Sequence, residues 1–213
     1  MMLKICGMKY ADNLLEVAAL QPDYLGFIFY EKSPRYMANT LSPEEVMAIP
    51  DRIQKIGVFV NATTDFVISE AQRFGLNGAQ LHGDESPQQC QELKEAECLV
   101  IKAFRLGNDN FDFSQLTAYE DYVDYFLFDT QTPNYGGSGH SFNWSQLKKY
   151  ALATPFFLSG GISLDNIEDA LQLDHSQLAG LDVNSRFETE PGRKDIAQLQ
   201  KLVSKIRSIR SEG

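Results

Sequence analysis

Short apolar runs alternate with amphipathic patterns along the chain. The runs are nearly continuous in apolar residues, as expected for strands buried on both faces of a parallel sheet. Where such a run stops, a polar or charged residue follows. The pattern predicts eight strands, at Leu3–Cys6, Tyr24–Phe29, Ile53–Val60, Gly78–Leu81, Leu99–Phe104, Tyr125–Phe128, Pro155–Ser159 and Ala179–Val183.

Helix start signals lie between the predicted strands. Ser42-Pro43-Glu44-Glu45 has the form of a capping box with proline in the first helical position, and the same device recurs at Ser86-Pro87. The last helix, about Lys194–Arg210, carries apolar residues at helical spacing. Further helices are predicted after Asp12, at Asn143 and at Ser163, with the weakest pattern over Asp109–Tyr122.

Eight strand–helix units in sequence predict parallel strands joined by crossover helices. In a chain of 213 residues, the simplest arrangement of eight such strands is a single closed (β/α)₈ barrel. We therefore expect one domain over residues 1–213. A doubly wound open sheet is the structural alternative. In a barrel the catalytic groups lie at the carboxyl ends of the strands, so those positions become the candidates for chemistry.

Composition narrows the classes of partner. The formal net charge of -10 argues against nucleic acid and acidic membrane surfaces, but a local positive pocket can still take a small anion. The three cysteines lack paired spacing, which argues against a disulfide framework and a zinc site. No apolar stretch is long enough to span a bilayer, and the N-terminus does not resemble a signal peptide. We expect a cytoplasmic protein.

Asp129 ends the apolar run before a glycine-rich stretch. Alternation along a strand puts Leu127 and Asp129 on one face and Phe126 and Phe128 on the other. The carboxylate then lies at the barrel mouth, although an aspartate here can also simply end the strand. The glycines that follow permit close approach of backbone to an anionic group; they are Gly136, Gly137 and Gly139.

Cys6 ends the first predicted strand and shares a face with Lys4. If Leu3 and Ile5 face the helices, Cys6 and Lys4 face the barrel interior. A thiolate is a competent base, whereas a single cysteine is more often a small buried hydrophobe. The presence of Asp129 at another strand end favours a base and an acid in one pocket.

Two later strand ends suggest an anion site. Ser159 is followed by Gly160 and Gly161, which allow backbone N–H groups to approach a phosphate. A glycine pair between strand and helix is also common in plain tight turns. The triplet Asn184-Ser185-Arg186 follows the next strand and can complete the same pocket.

The ordered motifs together resemble one family. KICG, SPR, QLHG, FLFDT with GGSG, SGGI and GLDVNSRFE occur in the order and spacing of phosphoribosylanthranilate isomerases of tryptophan biosynthesis, and the resemblance extends from Lys4 to Asp195. It implies an Amadori rearrangement of an aldose amine to a ketose amine, with Cys6 as general base and Asp129 as general acid. It also implies a phosphorylated small-molecule substrate and no metal or organic cofactor. Other enzymes of the tryptophan pathway are candidate partners.

The resemblance also distributes binding roles. It places Arg35 over the anthranilate carboxylate, where a guanidinium suits bidentate binding, and His82 and Asp182 at the substrate. Arg35 can alternatively be a solvated loop residue, and His82 a satisfied histidine at a strand end. Phosphate is assigned to Gly160, Gly161, Asn184, Ser185 and Arg186, and the loop at Gly136, Gly137 and Gly139 becomes a wall and lid.

Three positions depart from the family pattern. His140 and Asn143 stand where Lys and Asp are common, and Arg186 stands where a small residue or glycine is usual. Arg186 is either strained, if the position requires positive φ, or contacts phosphate through its guanidinium, which we favour.

Two other functions stay open. One is a phosphosugar barrel synthase or aldolase that uses a lysine, for which Lys4, Lys55 and Lys102 are candidates. The other is a non-catalytic barrel that binds phosphate.

Overall fold

The strands form a closed barrel. In a computed structural model that describes residues 1–107, 111–130 and 144–212, eight parallel strands pair in chain order, and β1 pairs with both β2 and β8. This confirms the predicted (β/α)₈ barrel and excludes the open sheet. The strands are β1 (Met2–Cys6), β2 (Tyr24–Ile28), β3 (Gln54–Phe59), β4 (Gly78–Leu81), β5 (Leu99–Leu106), β6 (Tyr125–Thr130), β7 (Phe156–Ser159) and β8 (Leu178–Val183).

Helical segments connect the strands. The α-helices are α1 (Ala11–Ala19), α2 (Pro43–Met47), α3 (Thr64–Phe74), α4 (Pro87–Glu95), α5 (Ile167–Leu171) and α6 (Ile196–Glu212). Three segments are 3₁₀ helices, at Phe113–Tyr122, Trp144–Lys149 and Ser185–Phe187. After β8, a hairpin of β9 (Glu188–Glu190) and β10 (Arg193–Lys194) precedes α6, and the sequence pattern did not predict it.

The cap signals are confirmed in part. At α2 the Ser42 hydroxyl accepts from the Glu45 amide, and the Glu45 carboxylate accepts from the Ser42 amide, at 3.3 and 2.7 Å. Ser86 caps α4, but Gln89 donates to Ala62 instead of closing the box.

One predicted helix start is wrong, and one helix was missed. The start predicted at Ser163 is wrong, because α5 begins at Ile167. Helix α3, capped by Thr63, was not singled out. The start predicted at Asn143 lies outside the described residues.

Strand β6 shows how the two faces divide. Phe126 and Phe128 are fully buried against the helical layer, and the Phe128 ring lies 5.2 Å from that of Tyr150, centre to centre. Leu127 points the other way, into an interior cluster with Phe157 of β7. The predicted alternation is confirmed, and Asp129 therefore lies on the interior face, one layer above Leu127.

The interior changes character toward the carboxyl ends of the strands. An apolar lower layer contains Tyr24, Leu127 and Phe157, and Cys6 belongs to a smaller upper cluster with Ile28 and Val58. Leu3 and Ile5 belong to the outer cluster, which confirms that the polar pair of β1, Lys4 and Cys6, faces inward. The apolar layer closes the bottom of the barrel and leaves the chemical groups at its mouth.

Candidate active site

A cavity of about 400 Å³ opens at the carboxyl ends of the strands. Most of the side chains predicted for the site line it: Cys6, His82, Asp129, Gly160, Gly161, Asp182, Asn184, Ser185 and Arg186. Its wall also includes Ile28, Val58, Gln80, Ser159, Ile162 and Val183. Residues from seven strand ends or their loops thus meet in one space, as the barrel topology requires.

Asp129 is one end of a hydrogen-bonded chain. Its Oδ2 lies 3.2 Å from Nε2 of His82, and Nδ1 of His82 lies 2.9 Å from the amide nitrogen of Gln80. An amide nitrogen only donates, so Nδ1 accepts and Nε2 carries the hydrogen that is donated to Asp129. His82 is therefore held by partners on both sides, and its orientation toward Asp129 is fixed.

Gln80 has one further property. Its Oε1 is buried beside the cavity and accepts no hydrogen bond from any residue that the structure describes. A buried acceptor without a donor is costly, so an unmet acceptor in a cavity wall is a place where a ligand hydroxyl gains a bond.

Cys6 lines the same cavity as Asp129, from a strand three places away around the barrel. The neighbouring strand carries Gly26 beside it, and a Cβ at that position would lie 2.7 Å from the Cys6 sulfur. Only glycine therefore leaves room for the thiol here. Burial raises the pKa of the Cys6 thiol, and the positive charge of Lys4 acts against that increase.

A buried ion pair lies beneath Cys6. Lys4 Nζ donates to Asp182 Oδ1 at 2.8 Å, and the other carboxylate oxygen accepts from the Ser159 hydroxyl at 3.2 Å. Asp182 is thus anchored by charged and neutral donors at the end of β8. It lines the cavity at the place predicted for a substrate-binding residue.

The glycine turn after β7 has the backbone that the sequence suggested. Gly160 and Gly161 have φ of 91° and 68°, a region that other residues rarely adopt. Asn166 holds the turn, since its side chain accepts from the Ser163 amide at 2.9 Å and donates to the Gly161 carbonyl at 3.0 Å. The Ser163 amide is thereby occupied within the loop.

Arg186 lies in the cavity wall without backbone strain. The non-glycine residues with positive φ in the described parts of the chain are Gln21, Asn61 and Glu97. The strained reading of Arg186 is therefore wrong. Its side chain is exposed at the cavity, on the same side as Gly160 and Gly161.

Arg35 does not line the cavity and is bound to a carboxylate that the sequence analysis did not assign. Its guanidinium forms a fork on Glu188, with Nε to Oε1 at 2.9 Å and Nη2 to Oε2 at 2.6 Å. Both side chains are largely buried, at 19% and 4% exposure, so Arg35 is not a solvated loop residue. Burial by itself would raise the pKa of Glu188, but Arg35 and Lys194 together lower it.

Lys194 binds the same carboxylate as Arg35. Its Nζ donates to Glu188 Oε1 at 2.6 Å and to Asn184 Oδ1 at 2.8 Å. The Lys194 backbone is in turn held by Asn13 of α1, whose side chain accepts from its N–H at 2.7 Å and donates to its carbonyl at 3.0 Å. Two cationic side chains therefore share one carboxylate next to the cavity.

Several functional candidates escaped the sequence analysis. Gln80 precedes His82 by two positions, and the period of a strand could have placed both on one face. Glu188 is the last residue of the motif GLDVNSRFE, and Lys194 lies within the stretch that resembles the family, but nothing local to them indicates that they hold Arg35.

Some expectations fall on parts of the chain that the structure does not describe. These are the loop glycines Gly136, Gly137 and Gly139, together with His140 and Asn143. In residues 1–107, 111–130 and 144–212, no three His, Cys, Asp or Glu side chains are grouped to hold a metal ion. Over the same ranges, no helix combines the length and apolarity needed to cross a bilayer.

Comparison with known proteins identifies the family. The family model described as N-(5'phosphoribosyl)anthranilate (PRA) isomerase matches residues 3–205. An N-(5'-phosphoribosyl)anthranilate isomerase of Parabacteroides distasonis is 44% identical over 97% of this chain and 93% of its own.

Solved structures agree. The phosphoribosylanthranilate isomerase of Thermotoga maritima has a TM-score of 0.81 at 32% identity, covering 98% of this chain and 99% of its own. Another, crystallised with reduced 1-(o-carboxyphenylamino)-1-deoxyribulose 5-phosphate, has a TM-score of 0.80 at 29% identity, with 98% and 99% covered. On these matches, the chain belongs to the N-(5'-phosphoribosyl)anthranilate isomerase family.

Proposed function

We propose that Asp129 and Cys6 are the general acid and general base of an Amadori rearrangement in this cavity. Family membership makes the chain an isomerase of tryptophan biosynthesis; the assignment of roles to its residues is our proposal. The observation that carries it is the placement of Cys6 and Asp129, from strands β1 and β6, in one cavity that the Gly160–Gly161 turn also lines. Acid and base groups so placed can each contribute about 10²- to 10⁴-fold.

The first step opens the ribose ring. Asp129 Oδ2 is occupied by His82, so we assign Oδ1 as the oxygen that delivers the proton to the ring oxygen. The bond from C1 to the ring oxygen breaks, and the nitrogen lone pair forms a C=N bond, which gives a protonated Schiff base. The Asp129 carboxylate that remains still accepts the hydrogen bond from His82 at Oδ2.

The second step moves a proton off carbon. The Cys6 thiolate removes the proton at C2, the C–H electron pair forms a C1=C2 bond, and the C=N electrons return to nitrogen. The positive charge of the protonated Schiff base next to Cys6 favours the thiolate form. The resulting enolamine gains a proton at C1 and loses its hydroxyl proton at C2, which yields the ketone.

Substrate binding is assigned to both ends of the cavity. The related isomerase crystallised with a reduced 5-phosphate product analogue supports a phosphorylated ligand here. We place the phosphate at Gly160, Gly161, Asn184, Ser185 and Arg186, where positive-φ glycines and an arginine line the cavity.

The remaining polar groups of the substrate meet other side chains. We assign Asp182 and the Oε1 atom of Gln80 to its hydroxyl groups, because both lie buried in the wall of the cavity. The loop containing Gly136, Gly137 and Gly139 stays a proposed wall and lid.

We assign the anthranilate carboxylate to Arg35. Glu188 and Lys194 fix the direction of its guanidinium, and a pre-oriented guanidinium loses less entropy when it binds a second carboxylate. The Cβ of a residue at position 7 would lie 2.9 Å from Arg35 Cδ, so Arg35 passes directly over the turn that follows Cys6. This proximity supports the assignment, because it brings the Arg35 side chain beside the residue that follows the proposed base.

Glu188→Gln is expected to raise KM for phosphoribosylanthranilate about tenfold and to change kcat much less. Glutamine keeps the size of the side chain but presents one acceptor oxygen to Arg35 and Lys194, so the guanidinium loses its fixed direction. Steady-state kinetics measure both constants. Glu190→Gln is the matched control on the same hairpin, since Glu190 is exposed and pairs with the surface residue Arg193. A KM that is unchanged in Glu188→Gln, or raised equally in Glu190→Gln, contradicts the assignment.

Direct assay of the purified chain tests the function as a whole. Phosphoribosylanthranilate loses its fluorescence on rearrangement, and we expect that loss together with a ketose product that coelutes with authentic 1-(2-carboxyphenylamino)-1-deoxyribulose 5-phosphate. Binding without turnover would instead support the phosphate-binding barrel.

Borohydride trapping separates the lysine-dependent alternative. A Schiff base on lysine is captured covalently, whereas the proposed proton transfer leaves no protein adduct. Two of the three candidate lysines are already engaged in buried ion pairs, because Lys4 pairs with Asp182 at 2.8 Å and Lys102 pairs with Glu85 at 3.0 Å. We therefore expect no increase in protein mass after reduction with substrate present.

Location and further partners stay predictions. The three cysteines, Cys6, Cys90 and Cys98, are free, which fits a reducing compartment and the cytoplasmic location that we propose. Association with other enzymes of the tryptophan pathway is proposed only on the basis of the shared pathway.

A further inference from the structure

Lys4 occupies an unusual position for a charged side chain. It is fully buried in the barrel interior, two residues before Cys6 on the same face of β1, and lies opposite Asp182 in the β1–β8 register. Burial of an ammonium group costs several kcal/mol unless partners compensate it. The mechanism above gives Lys4 no part in the chemistry, so its charge calls for an explanation.

The ammonium of Lys4 is shared between two acidic groups. One is Asp182, which accepts a hydrogen bond from Lys4 Nζ at 2.8 Å, and the other is the Cys6 thiol, two residues further along the same face of β1. Burial alone would lower the pKa of Lys4, but Asp182 and Cys6 raise it on balance, so Lys4 is a cation in the folded chain. Its charge therefore acts on the group that must lose a proton.

The other surroundings of Cys6 mostly oppose a thiolate. Ile28 and Val58 pack around the sulfur and exclude water, and Asp182 adds a negative charge. Lys194 contributes a second positive charge, but it is bound to Glu188 at 2.6 Å. Of the two cations that act on Cys6, Lys4 has the larger effect, and it lies on the same face of the same strand.

We propose that Lys4 is a positioning residue for Cys6, which holds a buried positive charge close to the thiol and so favours formation of the thiolate. The inference rests on the proposed role of Cys6. Asp182 then serves twice, because it keeps Lys4 charged and sets its position between β1 and β8. A purely structural lysine would only join these two strands and would leave the thiolate fraction of Cys6 unchanged. A positioning lysine would increase that fraction.

A second buried pair provides a matched control. Lys102 on β5 is 1% exposed and pairs with Glu85 at 3.0 Å, but it contacts carbonyl groups near Gly83 and does not act on Cys6. Removing either lysine breaks a buried ion pair of similar geometry. Only the removal of Lys4 changes the charge next to the thiol.

The experiment follows alkylation of Cys6 by iodoacetamide across the neutral and alkaline range in the unliganded protein. Peptide mass spectrometry separates Cys6 from Cys90 and Cys98, and the alkylation rate reports the thiolate fraction. The variants are Lys4→Met and Lys102→Met. The double variants Lys4→Met/Asp182→Asn and Lys102→Met/Glu85→Gln remove whole pairs and leave no uncompensated buried charge if a single variant fails to fold. Circular dichroism verifies the fold of each.

The midpoint of the Cys6 alkylation profile is expected to rise by about one pH unit or more in Lys4→Met, the size of effect that a neighbouring opposite charge has on a titrating group. A smaller rise in the same direction is expected in Lys4→Met/Asp182→Asn, because the opposing charge of Asp182 is lost as well. The Lys102 variants should match the wild type. An unchanged midpoint in folded Lys4 variants, or an equal shift in the Lys102 variants, overturns the proposal.

The alkylation readout is independent of turnover. If Cys6→Ser keeps full activity, the base assignment fails while the alkylation profile still reports on Lys4. If Cys6→Ser is inactive and the alkylation midpoint does not respond to Lys4, the proposed function stands and this inference falls.

Discussion

Replacement of Cys6 by serine is expected to lower kcat by about 10²- to 10⁴-fold and to leave substrate affinity nearly unchanged. Serine is close in size to cysteine, so the packing against Ile28 and Val58 survives. Its hydroxyl holds its proton far more tightly than a thiol and cannot serve as the base at C2. Single-turnover kinetics with phosphoribosylanthranilate, combined with equilibrium binding of a reduced product analogue, measure the two effects separately.

Cys98→Ser is the matched control for this change. Cys98 is a half-buried thiol just after α4, remote from the cavity, and serine there should leave kcat within a factor of about two. If Cys6→Ser retains the wild-type kcat, the proton at C2 is removed by another group and the base assignment fails.

The pH dependence of kcat/KM follows from the pKa of the Cys6 thiol. Burial raises the pKa of Cys6, so the thiolate fraction keeps growing at pH values above the ordinary thiol range of about 8.5. We expect kcat/KM for the wild type to rise with pH through the alkaline range, and this limb to be absent from the residual activity of Cys6→Ser.

Replacement of Asp129 by asparagine is expected to lower kcat by a similar factor of about 10²- to 10⁴-fold, through a different step. Asparagine keeps the shape of the side chain and can still accept from His82 through its amide oxygen, but it has no proton to give to the ring oxygen. Ring opening then becomes slow, and proton removal from C2 ceases to limit the rate.

Deuterium at C2 of the ribose distinguishes the two steps. The isotope effect on kcat should shrink toward unity in Asp129→Asn, because ring opening breaks no bond at C2. In Cys6→Ser it should be at its largest, because the slow step there is removal of that proton. Asp84→Asn is the control, since Asp84 is an exposed carboxyl in the loop after His82. A full isotope effect in Asp129→Asn would argue that Asp129 does not act in ring opening.

The barrel was predictable because its strands are buried on both faces. Continuous apolar runs in regular succession leave few topologies, and the period of two along β6 correctly placed Leu127 and Asp129 inside. The start of α5 was not predictable in the same way. The side chain of Asn166 folds back onto Ser163 and Gly161, which delays the helix beyond its apparent cap.

The site was predictable where it consists of strand ends and unpredictable where it depends on distant partners. Motif order gave Cys6 and Asp129 as candidates. The partner of Arg35 lies 153 positions away at Glu188, and His82 reaches Asp129 across 47 positions. Such pairs depend on barrel curvature and loop path, which local propensity does not encode. The assignment of Arg35 to a substrate carboxylate therefore did not anticipate that a carboxylate of the protein would hold it.

Two hydrogen bonds join the side chain of Asn13 to the backbone of Lys194. They link a residue that is translated early to one that is translated late. Arg35 emerges from the ribosome when Glu188 and Lys194 have not yet been translated, so its guanidinium has no fixed direction in the nascent chain. Strands β1 to β7 can be present before that corner exists. Under the proposed role of Arg35, the binding site for the substrate carboxylate therefore forms late, and a chain released before β10 would lack it even if most of its barrel had formed.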